Sequence, residues 1–434
     1  MVLMSTRRPS RLDVAWTASR LAGRRLFGRK VGEQDAELGE LLTGQLDQMK
    51  GMAMKIGQIV SYMDIPLPDE VLSTMSRLQT GQRGMDPART RAILEDALGA
   101  SLETLFDAFE IEPIAAASIG QVHRAKLAGQ EVAVKVQYPG VADTFRQDLG
   151  MIDRIASLAS LASAVDGKAI VRELGRRLSE ECDYLREAQM QAAFATAFAD
   201  DPAIHIPAVV PQRSARNVLT SAWVEGDNFE ALRTSGDQAR INRTAAVLLR
   251  FSYRSLFNFA LIQADPHPGN FIFEASGQVT FLDFGCVRQL EAAFVAALRA
   301  MTLAVRDRDM PRFRRAVADL GVVGEPKRFD FDHFFMVMEH LYRPLVAPHF
   351  RYTREYTAEG MRHNGPTNPN ARALAIPPAY VWVMRLQWGL SSILAKLGAQ
   401  GSFDGILDDV LRSPMVPMPV PARQDGPPDF QRPQ

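Results

Sequence analysis

The sequence predicts an α+β fold of two lobes, a strand-rich half followed by a helical half, with chemistry where they meet. Three observations carry this reading. Short apolar runs at Phe109–Ile114, Gly120–Leu127 and Glu131–Gln137 read as strands, and Ala128-Gly129-Gln130 joins the last two as a hairpin connection. After residue 225 the helical three-and-four spacing of apolar residues prevails, broken by two short strand-like runs, Phe271–Phe273 and Val279–Leu282, around Ser276-Gly277. A chain of 434 residues, 47% hydrophobic and 23% charged, can bury such a core without disulfides or a structural metal.

Taken in order, residues 1–34 form a basic arm. Its first 30 residues hold eight Lys/Arg against one Asp, with Trp16, Leu21 and Phe27 interleaved. Such a segment can lie on an anionic membrane surface, or it can be a solvated arm that frays. Residues 35–105 read as a helical extension, with apolar repeats from Leu38 to Val60 and a break at Pro66 and Pro68. Asp86-Pro87 starts its last helix, Asp as cap and Pro in the first turn, and Leu98-Gly99 stops it. Residues 106–224 form the strand-containing lobe, with helices inserted at about 142–163 and 168–198 and a strand pair near 207–224. Residues 225–412 form the helical lobe. Its stretch 306–412 carries no motif with readable chemistry, and Trp382 and Trp388 point to packed helices. The last 22 residues, Ser413–Gln434, hold seven prolines and read as a disordered or extended tail.

Composition excludes several classes. Fifty basic and fifty acidic residues cancel, so no global field for nucleic acid exists. Cys182 and Cys286 are far apart and in no metal-knuckle spacing, which excludes a disulfide scaffold and implies a reducing compartment. The two most apolar helical stretches are interrupted, one by Arg250 and Arg254, the other by Arg385 and Lys396, so neither reads as a membrane span. With no signal-peptide pattern, the expectation is a cytoplasmic protein, peripheral at the inner face of a membrane if the arm binds there.

The chemistry concentrates in Gln263-Ala264-Asp265-Pro266-His267-Pro268-Gly269-Asn270, followed by Phe281-Leu282-Asp283-Phe284-Gly285. Short polar ligands on rigid loops can hold Mg²⁺ against phosphates. Kinase chemistry needs this set: an Asp at the acceptor, an Asn five residues on, and a DFG Asp on the metal. Taken singly, Asp265 could be a turn former and Asp283 a helix cap; in this order and spacing they point to Mg²⁺–ATP. Upstream, Val132-Ala133-Val134-Lys135 ends a hairpin strand where a kinase places its phosphate-contacting lysine, although a surface lysine on an edge strand has the same look. No glycine-rich loop exists. Its place holds Ala115, Ala116, Ala117 and Ser118 before Ile119-Gly120-Gln121, either a stiffer amide cradle or an ordinary small-residue turn.

These pieces resemble the ABC1/AarF/UbiB atypical kinases, the coenzyme Q kinase-like family. Lys55-Ile56-Gly57-Gln58 is similar to the family's KxGQ signature, and Glu181-Cys182-Asp183 with Glu187 is similar to its ExD motif and following helix glutamate. The resemblance runs from about residue 35 to about 300. It implies a bilobal protein-kinase-like fold with a helical N-terminal extension. By resemblance Lys135 contacts phosphate and Glu187 partners it; Lys55 pairs with Glu181, so that Lys55, Gln58, Glu181 and Asp183 regulate access to the site. Ala115–Ser118 and the backbone of Ala222 and Val224 contact ATP, with Ser221 as gatekeeper. Asn270 and Asp283 hold Mg²⁺ and Asp265 acts as catalytic base. The same charged residues, read blandly, are solvated helix charges.

The implied activity is ATP hydrolysis or phosphoryl transfer to a lipid or isoprenoid-quinone precursor, supporting ubiquinone metabolism. Lipid-biosynthesis proteins are the expected protein partners. Two rivals stand: a nucleotide-gated scaffold for such proteins, and a small-molecule phosphotransferase, against which KxGQ and ExD speak. Departures from ordinary protein kinases argue against protein substrates. Gln263-Ala264 replaces His-Arg before the catalytic Asp, and no long activation segment or Ala-Pro-Glu precedes the apolar run Leu290–Val305. Cys286 reads as a packing residue. His267 reads as a loop hydrogen-bonder or an aid to the acceptor, and no metal-ligand spacing emerges among the histidines.

Overall fold

The structure is a computed structural model that describes residues 85–117, 119–141, 182–365 and 368–419. The arm at 1–34, the KxGQ helices, most of the helices expected at 142–163 and 168–198, and the end of the tail lie outside these residues. So do Lys55, Gln58, Ser118 and Glu181.

The described part opens on α1 (Pro87–Leu98). The Asp86 carboxylate accepts from the Ala88 N–H at 2.8 Å, and Gly99 ends the helix with φ 74°. A short α2 (Leu102–Leu105) follows. A five-stranded sheet comes next, built from β1 (Ala108–Phe109), β2 (Ala115–Ala117), β3 (Gly120–Leu127) and β4 (Gln130–Gln137), with a late strand added at its edge. The single strand expected at Phe109–Ile114 is instead two. Glu110 donates to the Arg124 carbonyl and Ile114 to the Val122 carbonyl, and the register passes from Phe109 opposite Ala125 to Ala115 opposite Val122, an advance of six residues on one side against three on the other. Residues 111–113 bulge out at Pro113, which has no N–H for the ladder. The Ala-rich stretch is therefore strand β2, which pairs antiparallel with β3.

On β4 the side chains alternate. Val132, Val134 and Val136 are buried against Leu94, Leu102, Leu105 and Phe106, while Lys135 stands on the opposite face. Gly120 is fixed by close approach, because a Cβ there would lie 2.2 Å from the Val136 carbonyl oxygen.

A polar seam joins α1 to this sheet. Gln121 Nε2 donates to Thr90 Oγ1 at 3.1 Å and lies 2.8 Å from His123 Nε2; His123 Nδ1 lies 3.0 Å from the Glu110 carbonyl oxygen. The carbonyl takes the Nδ1 proton, so a neutral His123 accepts at Nε2. Burial depresses the His123 pKa. The folded state therefore prefers the neutral ring. The stability this contributes is complete above the unfolded histidine pKa of about 6.5 and is lost as pH falls toward the lower folded value. The melting temperature of wild type is expected to fall relative to His123→Gln between pH 7 and pH 5; parallel profiles would remove His123 as the cause.

The chain next enters α3 (Tyr184–Ala197), capped by Asp183, whose carboxylate accepts the Arg186 N–H at 3.1 Å. After β5 (Ile204–His205), strand β6 (Val218–Ala222) completes the sheet against β4 with Lys135 opposite Leu219. The helical lobe begins with α4 (Phe229–Thr234) and the 22-residue α5 (Gln238–Phe259), whose buried face includes Leu248, Leu256 and Phe257. Strand β7 (Leu261–Gln263), hairpin β8 (Phe271–Phe273) and β9 (Val279–Phe281), and β10 (Val287–Gln289) follow. Strand β10 pairs with β7, and β5 lies parallel beside β9.

Helices α6 (Ala292–Arg306), α7 (Met310–Asp319) and α8 (Phe331–Tyr342) come next. Strand β11 (Phe350–Arg351), α9 (Arg354–His363), α10 (Pro378–Leu397), β12 (Gln400–Gly401) and α11 (Asp404–Arg412) close the lobe. Helix α6 starts seven residues after Gly285, so no extended segment separates the DFG from the helical core. The first residues of the expected tail are extended and docked: Val416 and Met418 donate to the carbonyls of Asn258 and Phe259 at 2.7 and 3.0 Å. No helix among the described residues is long and apolar enough to cross a membrane.

Candidate active site

Strand β4 presents Lys135 toward α3, where Glu187 receives it. The Nζ lies 2.9 Å from Oε1 and 3.1 Å from Oε2, a fork across 52 residues of sequence. Glu187 is 3% exposed and Lys135 20%. Burial pushes against the ammonium, but Glu187, then Tyr184 and Asp283, more than offset it and hold the lysine pKa above its ordinary value. Burial raises the Glu187 carboxyl, with Lys135 opposing and Asp283 adding to the rise. The lysine also stands 4.7 Å over the Tyr184 ring. The Tyr184 hydroxyl is buried and has no hydrogen-bond partner among the described residues. It lies 3.0 Å from where a Cβ on Gly120 would be, beside the β2–β3 turn.

The two loops of the helical lobe are tied to each other. Leu282 N–H donates to the Asn270 carbonyl at 3.0 Å, and Gln263 Nε2 donates to the Asp283 carbonyl at 2.5 Å. Asn270 Nδ2 donates to the Asp265 carbonyl at 2.9 Å, which leaves its amide oxygen as the group that can turn to a cation. Asp283 Oδ1 accepts the Gly285 N–H at 2.9 Å. A Cβ on Gly285 would lie 3.4 Å from that oxygen and 3.5 Å from Glu187 Oε2, so the DFG carboxylate and the α3 carboxylate flank one point of backbone. Asp283 thus lies beside the Lys135–Glu187 pair and adds its charge to it. The excess negative charge and the oxygen donors of Asp283 and Asn270 fit a hard divalent cation. Phe284 is fully buried against Phe194 of α3, ring centroids 5.0 Å apart.

Of the expected site residues, the structure brings Lys135, Glu187 and Asp283 together and places Asp265 and Asn270 on the adjoining loop. Ala115, Ala116 and Ala117 line the edge of the sheet in β2. Asp183 appears as a helix cap. At Ala222 the N–H donates to the Ala208 carbonyl at 2.8 Å, which leaves its carbonyl for a base, and Trp223 N–H is likewise used by the Glu131 carbonyl at 3.1 Å. Val224 follows directly at the hinge. His267 acts as a turn cap, its Nδ1 accepting from Gly269 N–H at 3.1 Å. Cys286 is half-buried and packs on the core.

Two features were not expected. Arg385 of α10 reaches the loop, its Nη2 2.7 Å from Asp265 Oδ1, although residues 306–412 had carried no readable chemistry. His340, Glu359 and His363, which show no metal-ligand spacing in sequence, have potential ligand atoms all within 4.8 Å of one another. There the Arg343 guanidinium lies 3.2 Å from Glu359 Oε2 and 3.4 Å from His340 Nδ1, so the carboxylate already has a cationic partner.

The profile of the ABC1 atypical kinase-like domain matches residues 77–317. The chain belongs to the ABC1 atypical kinase-like family. The match spans the sheet, α3 and both loops of the site, and the expected kinase-like α+β fold is the one observed. The atypical kinase COQ8 of Saccharomyces cerevisiae mitochondria is 29% identical over 369 residues, covering 82% of this chain and 73% of that protein. The mitochondrial atypical kinase COQ8B of Rattus norvegicus is 33% identical over 305 residues, 69% of this chain and 58% of that one. The chloroplastic protein ACTIVITY OF BC1 COMPLEX KINASE 8 of Arabidopsis thaliana is 35% identical over 283 residues, 62% of this chain but 37% of its own length. Among solved structures, Rv3197 of Mycobacterium tuberculosis, in complex with erythromycin, superposes with a TM-score of 0.67 at 26% identity, covering 87% of this chain and 98% of that one. This superposition takes in more of the chain than the 77–317 profile match does.

Proposed function

We propose that this ABC1 protein binds Mg²⁺–ATP between its lobes and either hydrolyses it or transfers its γ-phosphoryl group to a small or lipid-linked acceptor. The observation that carries this is the buried Lys135–Glu187 fork with the Asp283 carboxylate beside it. No structural need of the sheet calls for a buried ion pair with a second carboxylate beside it, whereas a nucleotide site does. In this reading Lys135 positions phosphates, Asn270 and Asp283 hold Mg²⁺, the Ala115–Ser118 stretch covers the phosphates, and Val224 with the Ala222 carbonyl meets the base. Asp265 orients or deprotonates the acceptor. Lys55, Gln58, Glu181 and Asp183 control access. The short run from Gly285 to α6 leaves little platform for a peptide, which favours a non-protein acceptor.

The relatives named COQ8 support a role in ubiquinone metabolism; in our reading the acceptor is a lipid or isoprenoid-quinone precursor and the protein partners are lipid-biosynthesis proteins. The basic arm at 1–34 places the protein peripherally on an anionic membrane. The test is ATP hydrolysis by the full chain, with Mg²⁺ or EDTA, and with or without anionic liposomes. Turnover that needs Mg²⁺ and rises on liposomes is expected, and removal of residues 1–34 is expected to abolish the rise. MgATP binding without turnover in any condition would instead favour a nucleotide-gated scaffold; no binding would end the ATP reading.

A further inference from the structure

Asp265 lies in a loop that lacks its own cation, since Ala264 and Gln263 precede it, and α10 supplies one from 120 residues downstream. The contact is not an isolated surface pair. Arg385 is 15% exposed and Asp265 29%, and among the described residues the carboxylate is engaged through Oδ1, at 2.7 Å. One turn further along the same helix face, Gly389 packs on Pro266, the residue after Asp265. A Cβ at 389 would lie 2.4 Å from Pro266 Cγ, so the helix approaches the loop as closely as the backbone allows. The guanidinium is itself held from behind. It lies 5.8 Å from the Trp382 ring, and Arg288 of β10 stacks on that ring at 4.9 Å. Thus Arg385 and Gly389 grip the loop at two consecutive residues, one by charge and one by shape.

We propose that Arg385 is a positioning residue for phosphoryl transfer: it fixes the Asp265 carboxylate by Oδ1 so that Oδ2 is presented to the acceptor. This rests on the reading of Asp265 as the acceptor-side group. A free Asp side chain rotates about two bonds, and the approach of acceptor oxygen to phosphorus tolerates little misplacement. A bound guanidinium also keeps that carboxylate from turning toward the metal held by Asn270 and Asp283. The acceptor side of the site then depends on α10, an element outside the stretch that holds the nucleotide-binding motifs.

Arg385→Gln, Arg385→Lys, Asp265→Asn and the Asp265→Asn/Arg385→Gln double variant are compared with wild type for MgATP turnover, with melting curves as a check on folding. Arg385→Gln is expected to lower kcat about 10- to 100-fold with KM for MgATP within about threefold, and Arg385→Lys to recover most of the loss. The double variant is expected to turn over no more slowly than Asp265→Asn alone, because the arginine acts only through that carboxylate. Unchanged or raised kcat in Arg385→Gln, or an equal further loss on the Asp265→Asn background, would overturn the assignment. If Arg385→Gln melts far below wild type, the lysine variant and the cycle decide. Failure of wild type to bind MgATP would sink the ATP reading itself, whereas active wild type with fully active Arg385→Gln would sink only the role of Arg385.

Discussion

Asp283→Asn is expected to lower Mg²⁺-dependent ATP turnover about a thousandfold while leaving the apo fold intact. The substitution keeps shape and keeps an oxygen to accept the Gly285 N–H, now at 2.9 Å, so the loop loses no hydrogen bond. What it removes is charge. In the apo protein the Asp283 carboxylate works against Glu187, whose carboxyl it helps push up. Removing it relieves that repulsion and also removes its attraction for Lys135, so the melting temperature of the D283N protein without nucleotide is expected to stay close to wild type. With a divalent cation present the two proteins separate, because the missing charge is the one that would hold the ion. Stabilisation by ligand follows the ratio of free ligand to Kd. A thermal-shift series with ATP and Mg²⁺ against ATP and EDTA should therefore show a Mg²⁺-dependent increment in wild type and none in D283N. An equal increment in both would mean that Asp283 does not hold the metal.

How much of this site is legible in the sequence depends on how local each part is. The caps of α1 are legible because Asp86 and Gly99 act on backbone groups within a few residues. Asp265, Asn270 and Asp283 are legible because one loop and one hairpin bring them together, and a hairpin is written in its turn residues. The Lys135 face follows from strand alternation.

The parts that stay hidden depend on distant pairing. Arg385 looks like an interruption in an apolar helix. The signal available was physical: an arginine on a helix with so much buried surface needs a carboxylate, and the most constrained carboxylates in the chain are those of the loops. Arg250, another such interruption, obeys the same rule with Asp201, 2.6 Å away. Gln263, in the place of a histidine, is hidden because its partner is a backbone carbonyl that carries no side-chain signature. The Ala222 N–H is taken up because Ala208 adds its carbonyl to the strand edge from an irregular segment, which no periodicity announces. The split of the Phe109–Ile114 strand was signalled by Pro113, which removes a ladder donor in the middle of the run.

Phe284→Ala is expected to cost about 3–5 kcal/mol of stability and to weaken MgATP binding at least tenfold, two losses with one cause. Phe284 is fully buried, and its ring rests on Phe194, seven residues after Glu187 and so on the same face of α3. The next residue, Gly285, brings its backbone beside the Glu187 carboxylate, where a Cβ would lie 3.5 Å from Oε2. Helix α3 thus meets the DFG segment twice, through a ring at one end and through that close approach at the other, and it is this helix that delivers Glu187 to Lys135. Removing the ring leaves a cavity that α3 can fill only by moving, which pulls the glutamate off the lysine.

Phe281 provides the control. It is equally buried, stacked on Phe251 at 3.7 Å, but it packs beneath the hairpin and makes no contact of this kind with the glutamate. Phe281→Ala should lose similar stability in urea unfolding while binding MgATP within about threefold of wild type at temperatures where it is folded. If both variants lose stability alike and both keep nucleotide affinity, the aromatic contact serves the core alone, and the placement of Glu187 must come from elsewhere in the sheet.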